Sequence, residues 1–284
     1  MPLNKSDTVK EFDFTRGDFE RVRALIYRQA GISLADSKQE MVYSRLARRL
    51  RATGIQSFAK YLDDLEAGRM SDEWESFTNA LTTNLTSFFR EAHHFPLLAE
   101  HVGRLRGRPG EPLTIWCSAS STGEEPYSIA MTLCEAFNTL TPPVQIVATD
   151  IDTNVLATAS EGVYGDDRVE KMAPERLKRF FLRGKGRHEG MVRVRPELRQ
   201  LVSFRQLNLL ADHWPVSGQF DAIFCRNVMI YFDKETQRKI LARFVPLMKP
   251  HALLFAGHSE NFLYVSDALR LRGKTVYELN DRRA

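Results

Sequence analysis

The sequence predicts an α/β protein in which a mostly parallel, doubly wound sheet follows an all-α domain and is interrupted by a small antiparallel β insert. Three observations lead to this. From about Leu113 short apolar runs alternate with helical stretches, whereas the residues before 81 show helical periodicity alone. Roughly 40 residues separate two of the runs, far more than an ordinary link. A chain of 284 residues, 43% hydrophobic, suffices for one large domain or two ordinary ones.

Residues 1–80 are expected to form the helical domain. Thr15-x-x-Asp18 and Ser37-x-x-Glu40 have capping-box spacing, and Gly31 and Gly54 suit helix stops. The apolar stripes are Phe19, Val22, Ile26 and Ala30, then Val42, Leu46 and Leu50. Two further amphipathic segments carry Phe58, Tyr61, Leu62 and Leu65, then Trp74, Phe77 and Leu81.

The second domain is expected over 81–284. LTIWC, VQIVATD, VSFRQL, FDAIFC, ALLFAG and TVYEL read as strands, with EEPYSIAMTLCEAF and DKETQRKILARFVPLM as helices between them. The insert is placed at 163–200. In it PERLKRFFLR looks helical, GKGRHEG looks like a turn, and MVRVR alternates as a half-exposed strand does.

Composition narrows the function. Forty basic against 36 acidic residues give a net charge of +4, but residues 161–205 hold 12 basic and 7 acidic side chains. A local patch of this size suits an acidic protein partner better than a nucleic-acid track, although a solvated face would look the same. No stretch free of charged residues exceeds 14 positions, too short for the roughly 20 apolar residues of a membrane span. Residues 1–14 lack the apolar core of a secretion signal. Cys117, Cys134 and Cys225 form no C-x-x-C pair and read as buried thiols of a cytosolic protein, without disulfide or zinc.

In a doubly wound sheet, ligands bind beyond the carboxyl ends of the strands. The first such loop, Ser118-Ala119-Ser120-Ser121-Thr122-Gly123-Glu124-Glu125, lacks G-x-G-x-x-G, and its two carboxylates would repel a pyrophosphate. The second strand ends in Asp150, placed to grip ribose hydroxyls, while Asp152 suits a helix cap. Ribose without pyrophosphate, together with a cation, describes S-adenosylmethionine.

Five segments then carry a resemblance: TTNLTSFFREAHHF at 82–95, SASSTGEEPYSIAM at 118–131, ATDID at 148–152, FDAIFCRNVMIYFD at 220–233 and FAGHSENF at 255–262. Their order resembles the CheR family of chemotaxis protein-glutamate O-methyltransferases, over roughly Phe14 to Leu279. The resemblance implies a class I S-adenosylmethionine-dependent methyltransferase domain with an N-terminal helical domain and an inserted β-subdomain. It implies cytoplasmic chemoreceptor helices as substrate, with glutamates converted to γ-methyl esters and S-adenosylhomocysteine as the second product.

Carried over residue by residue, the resemblance implies cofactor contacts at Asn84, Thr86, Arg90, Ala119, Glu125, Asp150, Asn208, Leu209, Arg226 and Asn227. It places Arg90 and Tyr231 near the methyl group, although Tyr231 in an apolar run would serve equally as core. It also associates the insert, with its Gly184, Gly186 and Gly190 turn, with docking of a receptor's C-terminal tail. The open edge of MVRVR would take an added strand, and Arg187, Arg193 and Arg195 would meet an acidic group or the terminal carboxylate. Arg45, Arg48 and Arg49 form either a solvated helix face or a second receptor-docking surface.

His93, His94 and His258 are read as hydrogen-bonded structural residues, and no metal is expected. A cytoplasmic monomer that neither inserts into membranes nor binds nucleic acid is the resulting expectation. Two alternatives stay in view: a nucleic-acid methyltransferase and a non-catalytic S-adenosylmethionine-sensing module. Arg226-Asn227-Val228-Met229 stands where amine methylation of adenine wants Asp/Asn-Pro-Pro-Tyr/Phe, and Phe224, not proline, precedes Cys225.

Overall fold

The computed structural model describes residues 10–105 and 112–280. Residues 1–9 of the expected helical domain, and most of the 107–112 loop, to which the family resemblance does not extend, lie outside the described residues. The chain divides into two compact units, 1–82 and 83–284.

In the first unit α1 (Arg16–Ala30) opens on the Thr15–Asp18 capping box and ends at Gly31, whose left-handed φ of 68° favours glycine. The second expected box does not form. A 3₁₀ turn over Asp36–Lys38 takes in Ser37, and α2 (Gln39–Thr53) follows with no side-chain cap. Helices α3 (Phe58–Glu66) and α4 (Glu73–Leu81) complete the unit. The apolar stripes are buried except at Trp74, which is half-buried. The neighbouring Glu73 goes inside instead. Its carboxylate accepts from the Tyr61 hydroxyl at 2.7 Å and from Arg49 at 2.8 and 2.7 Å, so a buried charge finds its partners.

The second unit begins its regular structure with α5 (His94–Leu105), followed by β1 (Leu113–Cys117), α6 (Glu124–Phe137), β2 (Val144–Asp150) and α7 (Thr153–Glu161). The insert holds β3 (Val163–Gly165), α8 (Pro174–Phe180), β4 (Phe181–Arg183), β5 (Met191–Val194) and α9 (Pro196–Arg199). The chain then returns as β6 (Val202–Gln206), β7 (Phe220–Cys225), α10 (Lys234–Phe244), β8 (Met248–Ala256), β9 (Leu269–Gly273) and β10 (Val276–Leu279). The main sheet has the order β6-β2-β1-β7-β8-β10-β9, parallel through β8 and antiparallel at β10 and β9. Strand order reverses beside β1, which places the ligand crevice at the carboxyl ends of β1, β2 and β7.

Alternation along the strands builds two cores. Ile115, Cys117, Ala222, Phe224, Leu253 and Phe255 face one layer, which includes side chains of α5 and α6. Trp116, Ile223, Cys225, Leu254 and Ala256 face the other, which includes those of α10. All three cysteines are buried and free.

The insert differs from expectation in two ways. PERLKRFFLR is helical only to Phe180, and Phe181–Arg183 continues as a strand. The three-stranded sheet has the order β3-β5-β4, so MVRV is its centre and has no open edge. Alternating burial cannot distinguish a central strand of a small sheet from an edge strand, because both have one covered face.

Candidate active site

Asp150 closes β2 and staples the neighbouring loop. One carboxylate oxygen accepts the Ser121 N–H at 2.8 Å and the other that of Asp152 at 3.0 Å. Burial pushes its pKa up to about 6, against the lowering effect of those N–H groups. Asp152 caps α7 by accepting from the Asn154 and Val155 N–H groups, as its sequence position suggests, and also accepts from the Asn84 amide at 2.7 Å. The Asn84 carbonyl takes the Ser121 hydroxyl at 2.9 Å. At Gly123, φ is 97° and a Cβ would lie 2.8 Å from both the Ala159 Cβ and the Tyr164 hydroxyl, so the turn into α6 requires glycine.

A second group of residues gathers beyond β7. The buried guanidinium of Arg226 donates to Glu125 at 2.7 Å and to the Arg90 carbonyl at 2.5 Å, and lies 3.3 Å from Glu91. Burial raises the pKa of Glu125, with the Arg226 charge opposing. Glu91 shows the opposite balance: burial pushes it up, but the His258 hydrogen bond and the Arg226 charge hold it near 2. Burial and Arg226 depress His94 to about 4, so this ring stays neutral, with Nε2 3.0 Å from the Lys274 carbonyl. Arg90 itself reaches back to the Leu85 carbonyl at 2.6 Å.

Asn227 sits at a positive φ of 57°, held by Glu260. The Glu260 carboxylate, 4% exposed, accepts the backbone N–H groups of Asn227, Val228, Met229 and Gly257. This ties the turn after β7 to the turn after β8. A Cβ on Gly257 would come within 2.4 Å of the Asn227 amide, so glycine is required here too.

A family model described as CheR methyltransferase, SAM binding domain, matches residues 84–277, and a second, CheR methyltransferase, all-alpha domain, matches 17–82. The chain belongs to the CheR methyltransferase family. It is 56% identical over 262 residues to the chemotaxis protein methyltransferase of Escherichia coli K12, covering 92% of this chain and 90% of that one. It is 57% identical over 280 residues to chemotaxis protein methyltransferase 2 of Pseudomonas aeruginosa, covering 98% and 99%. A CheR methyltransferase uses S-adenosylmethionine, and the expected class I fold with its helical N-terminal domain is the one observed.

Asn84, Glu125, Asp150, Arg226 and Asn227 lie in the two hydrogen-bonded groups just described, with Arg90 joined through its carbonyl. Ala119 is half-exposed in the loop between them. Asn208 and Leu209 follow β6, beside Asp150, whose carbonyl takes the Leu207 N–H at 2.8 Å. Leu209 is buried in the α10-side core, and the Asn208 amide oxygen accepts the Leu210 N–H. Tyr231 is half-exposed at the end of a one-turn 3₁₀ helix after β7, outside the core. The Thr86 carbonyl accepts from Arg168 of the insert at 3.0 Å.

The docking residues fare differently. Arg45 donates to the carbonyls of Ala80 and Thr82, and Arg49 is held by Glu73, so the three arginines do not form one solvated row. Only Arg48 of the three is exposed. In the insert Gly186 and Gly190 have φ of 58° and 78°, and a Cβ on Gly184 would collide with the His188 carbonyl. Arg187 and Arg193 are exposed, whereas Arg195 is half-buried and reaches the Lys178 carbonyl at 3.3 Å.

Sequence reasoning passed over Glu91, Glu260 and Arg168. The available signal was a lone glutamate inside each of two quoted motifs, FFREAHHF and AGHSENF. Glu91, His93 and His94 also bring one ligand-type atom each within 4.8 Å of one another, which their spacing did not suggest. The Arg226 guanidinium, 3.3 Å from Glu91, already supplies positive charge there.

Proposed function

We propose that this chain methylates glutamate side chains on the cytoplasmic helices of membrane chemoreceptors, forming γ-glutamyl methyl esters. The observation that carries the reading is the joining of Arg90, Glu125, Arg226 and Asn227 through Arg226 and Glu91, in a chain 56% identical to a chemotaxis protein methyltransferase.

The donor set suits S-adenosylmethionine. The Asp150 carboxylate accepts the Ser121 and Asp152 N–H groups, one on each oxygen, and would accept from a ribose hydroxyl as well. Asn84, Thr86 and Arg90 would hold the polar end, Ala119 and Glu125 the side of the first loop, and Asn208 and Leu209 the adenine, with Arg226 and Asn227 closing the site. When bound, this cofactor supplies an electrophilic methyl group on a sulfonium sulfur. A glutamate with a pKa of about 4.3 is already ionised at neutral pH, so no residue has to remove a proton. The protein's task is alignment, worth on the order of 7 to 11 kcal/mol. Arg90 supplies a planar fork for a carboxylate, and the half-exposed Tyr231 hydroxyl orients the acceptor. No general base and no metal enter this scheme.

Labelled S-adenosylmethionine incubated with receptor-containing membranes, then mild base, tests it. Label should appear on the receptor and leave as methanol; label on nucleic acid, or none, refutes it.

The insert would tether the receptor's C-terminal tail. Among the described residues its edge strands are β3 and β4, and on β4 Leu182 and Arg183 are exposed. A tail strand added there would pair with β4 beside Leu182 and Arg183, with Arg193 one strand further in. Deleting Lys185 and Gly186 should abolish tail-peptide binding while cofactor affinity persists. The protein would work as a cytoplasmic monomer; no described helix is long and apolar enough to cross a membrane.

A further inference from the structure

Among the described residues, large apolar side chains are exposed at Tyr27, Leu85, Leu182, Ile230, Leu263, Tyr264 and Leu271. Scattered singly, such residues need no explanation. Four of them lie on segments linked by the hydrogen bonds of the candidate active site: Leu85 is 77% exposed, Ile230, in the one-turn 3₁₀ helix after β7, 50%, Leu263 43% and Tyr264 92%.

The connections are direct. The Arg90 guanidinium holds the Leu85 carbonyl at 2.6 Å, and the Arg90 carbonyl holds Arg226 at 2.5 Å. Glu260 takes the N–H groups of Val228 and Met229, immediately before Ile230 and Tyr231. Leu263 and Tyr264 follow Glu260 by a few residues, and the Leu263 N–H is held by Asn261 at 3.0 Å. These bonds link the three segments that carry the four side chains to those that carry Arg90 and Tyr231.

We infer that Leu85, Ile230, Leu263 and Tyr264 form an apolar docking rim for one amphipathic helix of the protein substrate, whose acceptor glutamate points at Arg90. This rests on the reaction proposed above and adds the residues that select its substrate. Charge favours this occupant: the rim is apolar, with a guanidinium among its residues, which matches a carboxylate flanked by apolar residues three and four positions away on one helix face. The loop backbone favours it too. The N–H groups of Asn227, Val228, Met229, Gly257 and Leu263 are already satisfied, so an extended peptide finds no ladder there and recognition falls to side chains.

The test compares Ile230→Ser, Tyr264→Ser and their combination with Leu271→Ser, an exposed apolar residue on β9 outside the rim. The probe is a soluble fragment of chemoreceptor cytoplasmic helices, with KM for the fragment and S-adenosylhomocysteine affinity both measured. For the combined variant KM should rise by at least about tenfold, with cofactor affinity and melting temperature unchanged, and Leu271→Ser should match wild type. An unchanged KM overturns the rim, as does a fall in cofactor affinity, which would make these residues a cofactor cover. Concentration-dependent dimers of the wild type that the variants abolish would make the patch a self-interface and also overturn it. If wild type leaves the fragment unlabelled, the proposed reaction fails, and the rim with it; labelling by wild type with equal KM in the variants sinks the rim alone.

Discussion

Arg226 and Glu125 meet at 2.7 Å with 4% and 9% of their surfaces exposed, a charged pair taken out of water at the mouth of the sheet. Removing the cation alone leaves Glu125 and Glu91 facing each other without compensation. Arg226→Met should therefore lower unfolding free energy by about 3 to 5 kcal/mol, measured by urea denaturation. Adding Glu125→Gln should recover part of that loss, and a strictly additive double variant would show that the pair is not coupled.

Asp150 gives a pH dependence whose sign can be worked out. Its pKa in the fold, about 6, lies above the ordinary 3.8, so the folded state holds the proton more tightly. The stability linked to that proton is present below the ordinary value and lost as pH rises through about 6, amounting to about 3 kcal/mol at most. Cofactor binding runs the other way, because hydroxyl donors favour the ionised carboxylate. S-adenosylhomocysteine affinity should fall about tenfold from pH 7 to pH 5 in calorimetric titration. Asp150→Ala should weaken binding by about 1.5 to 3 kcal/mol and flatten the profile.

Arg168 reaches from the insert to the Thr86 carbonyl and to Glu124, whose side chain is fully buried. Phe88, two residues on, packs edge-on against Tyr164 and Phe181 of the same insert. Because the arginine is partly exposed, Arg168→Ala is expected to cost about 1 to 3 kcal/mol of stability. It should also weaken cofactor binding, since the 84–90 segment loses a tether. Thermal melts and cofactor titration measure the two effects, and intact cofactor affinity would show that the insert does not position this segment.

Arg90→Lys should fold normally and lose most activity. A lysine ammonium retains the charge but not the planar geometry with which Arg90 holds the Leu85 carbonyl and, in the proposed reaction, would also hold a carboxylate. Turnover within about twofold of wild type, well under the tenfold that corresponds to 1.36 kcal/mol, would remove Arg90 from the reaction.

Local signals were enough for much of this protein. Short apolar runs marked β1, β2, β6, β7, β8 and β10, because a strand covered on both faces has to be apolar along its length. Thr15, Gly31, Gly54 and Asp152 announced their caps, since a helix end must satisfy its orphan groups within a few residues.

Pairing between distant segments belonged to the tertiary structure. It made MVRV the centre of its sheet, drew Arg45 and Arg49 inward to Ala80, Thr82 and Glu73, and gave Glu91 and Glu260 their partners. In sequence each of these is a charged residue or a short alternating run, compatible with solvent or with burial. Which one holds depends on whether a partner more than 20 positions away arrives within hydrogen-bond distance, as the Glu73 carboxylate does for Arg49 at 2.8 Å and that of Glu260 for the Asn227 N–H at 2.9 Å. A buried charge is tolerated only where that partner is supplied, and only the folded chain supplies it.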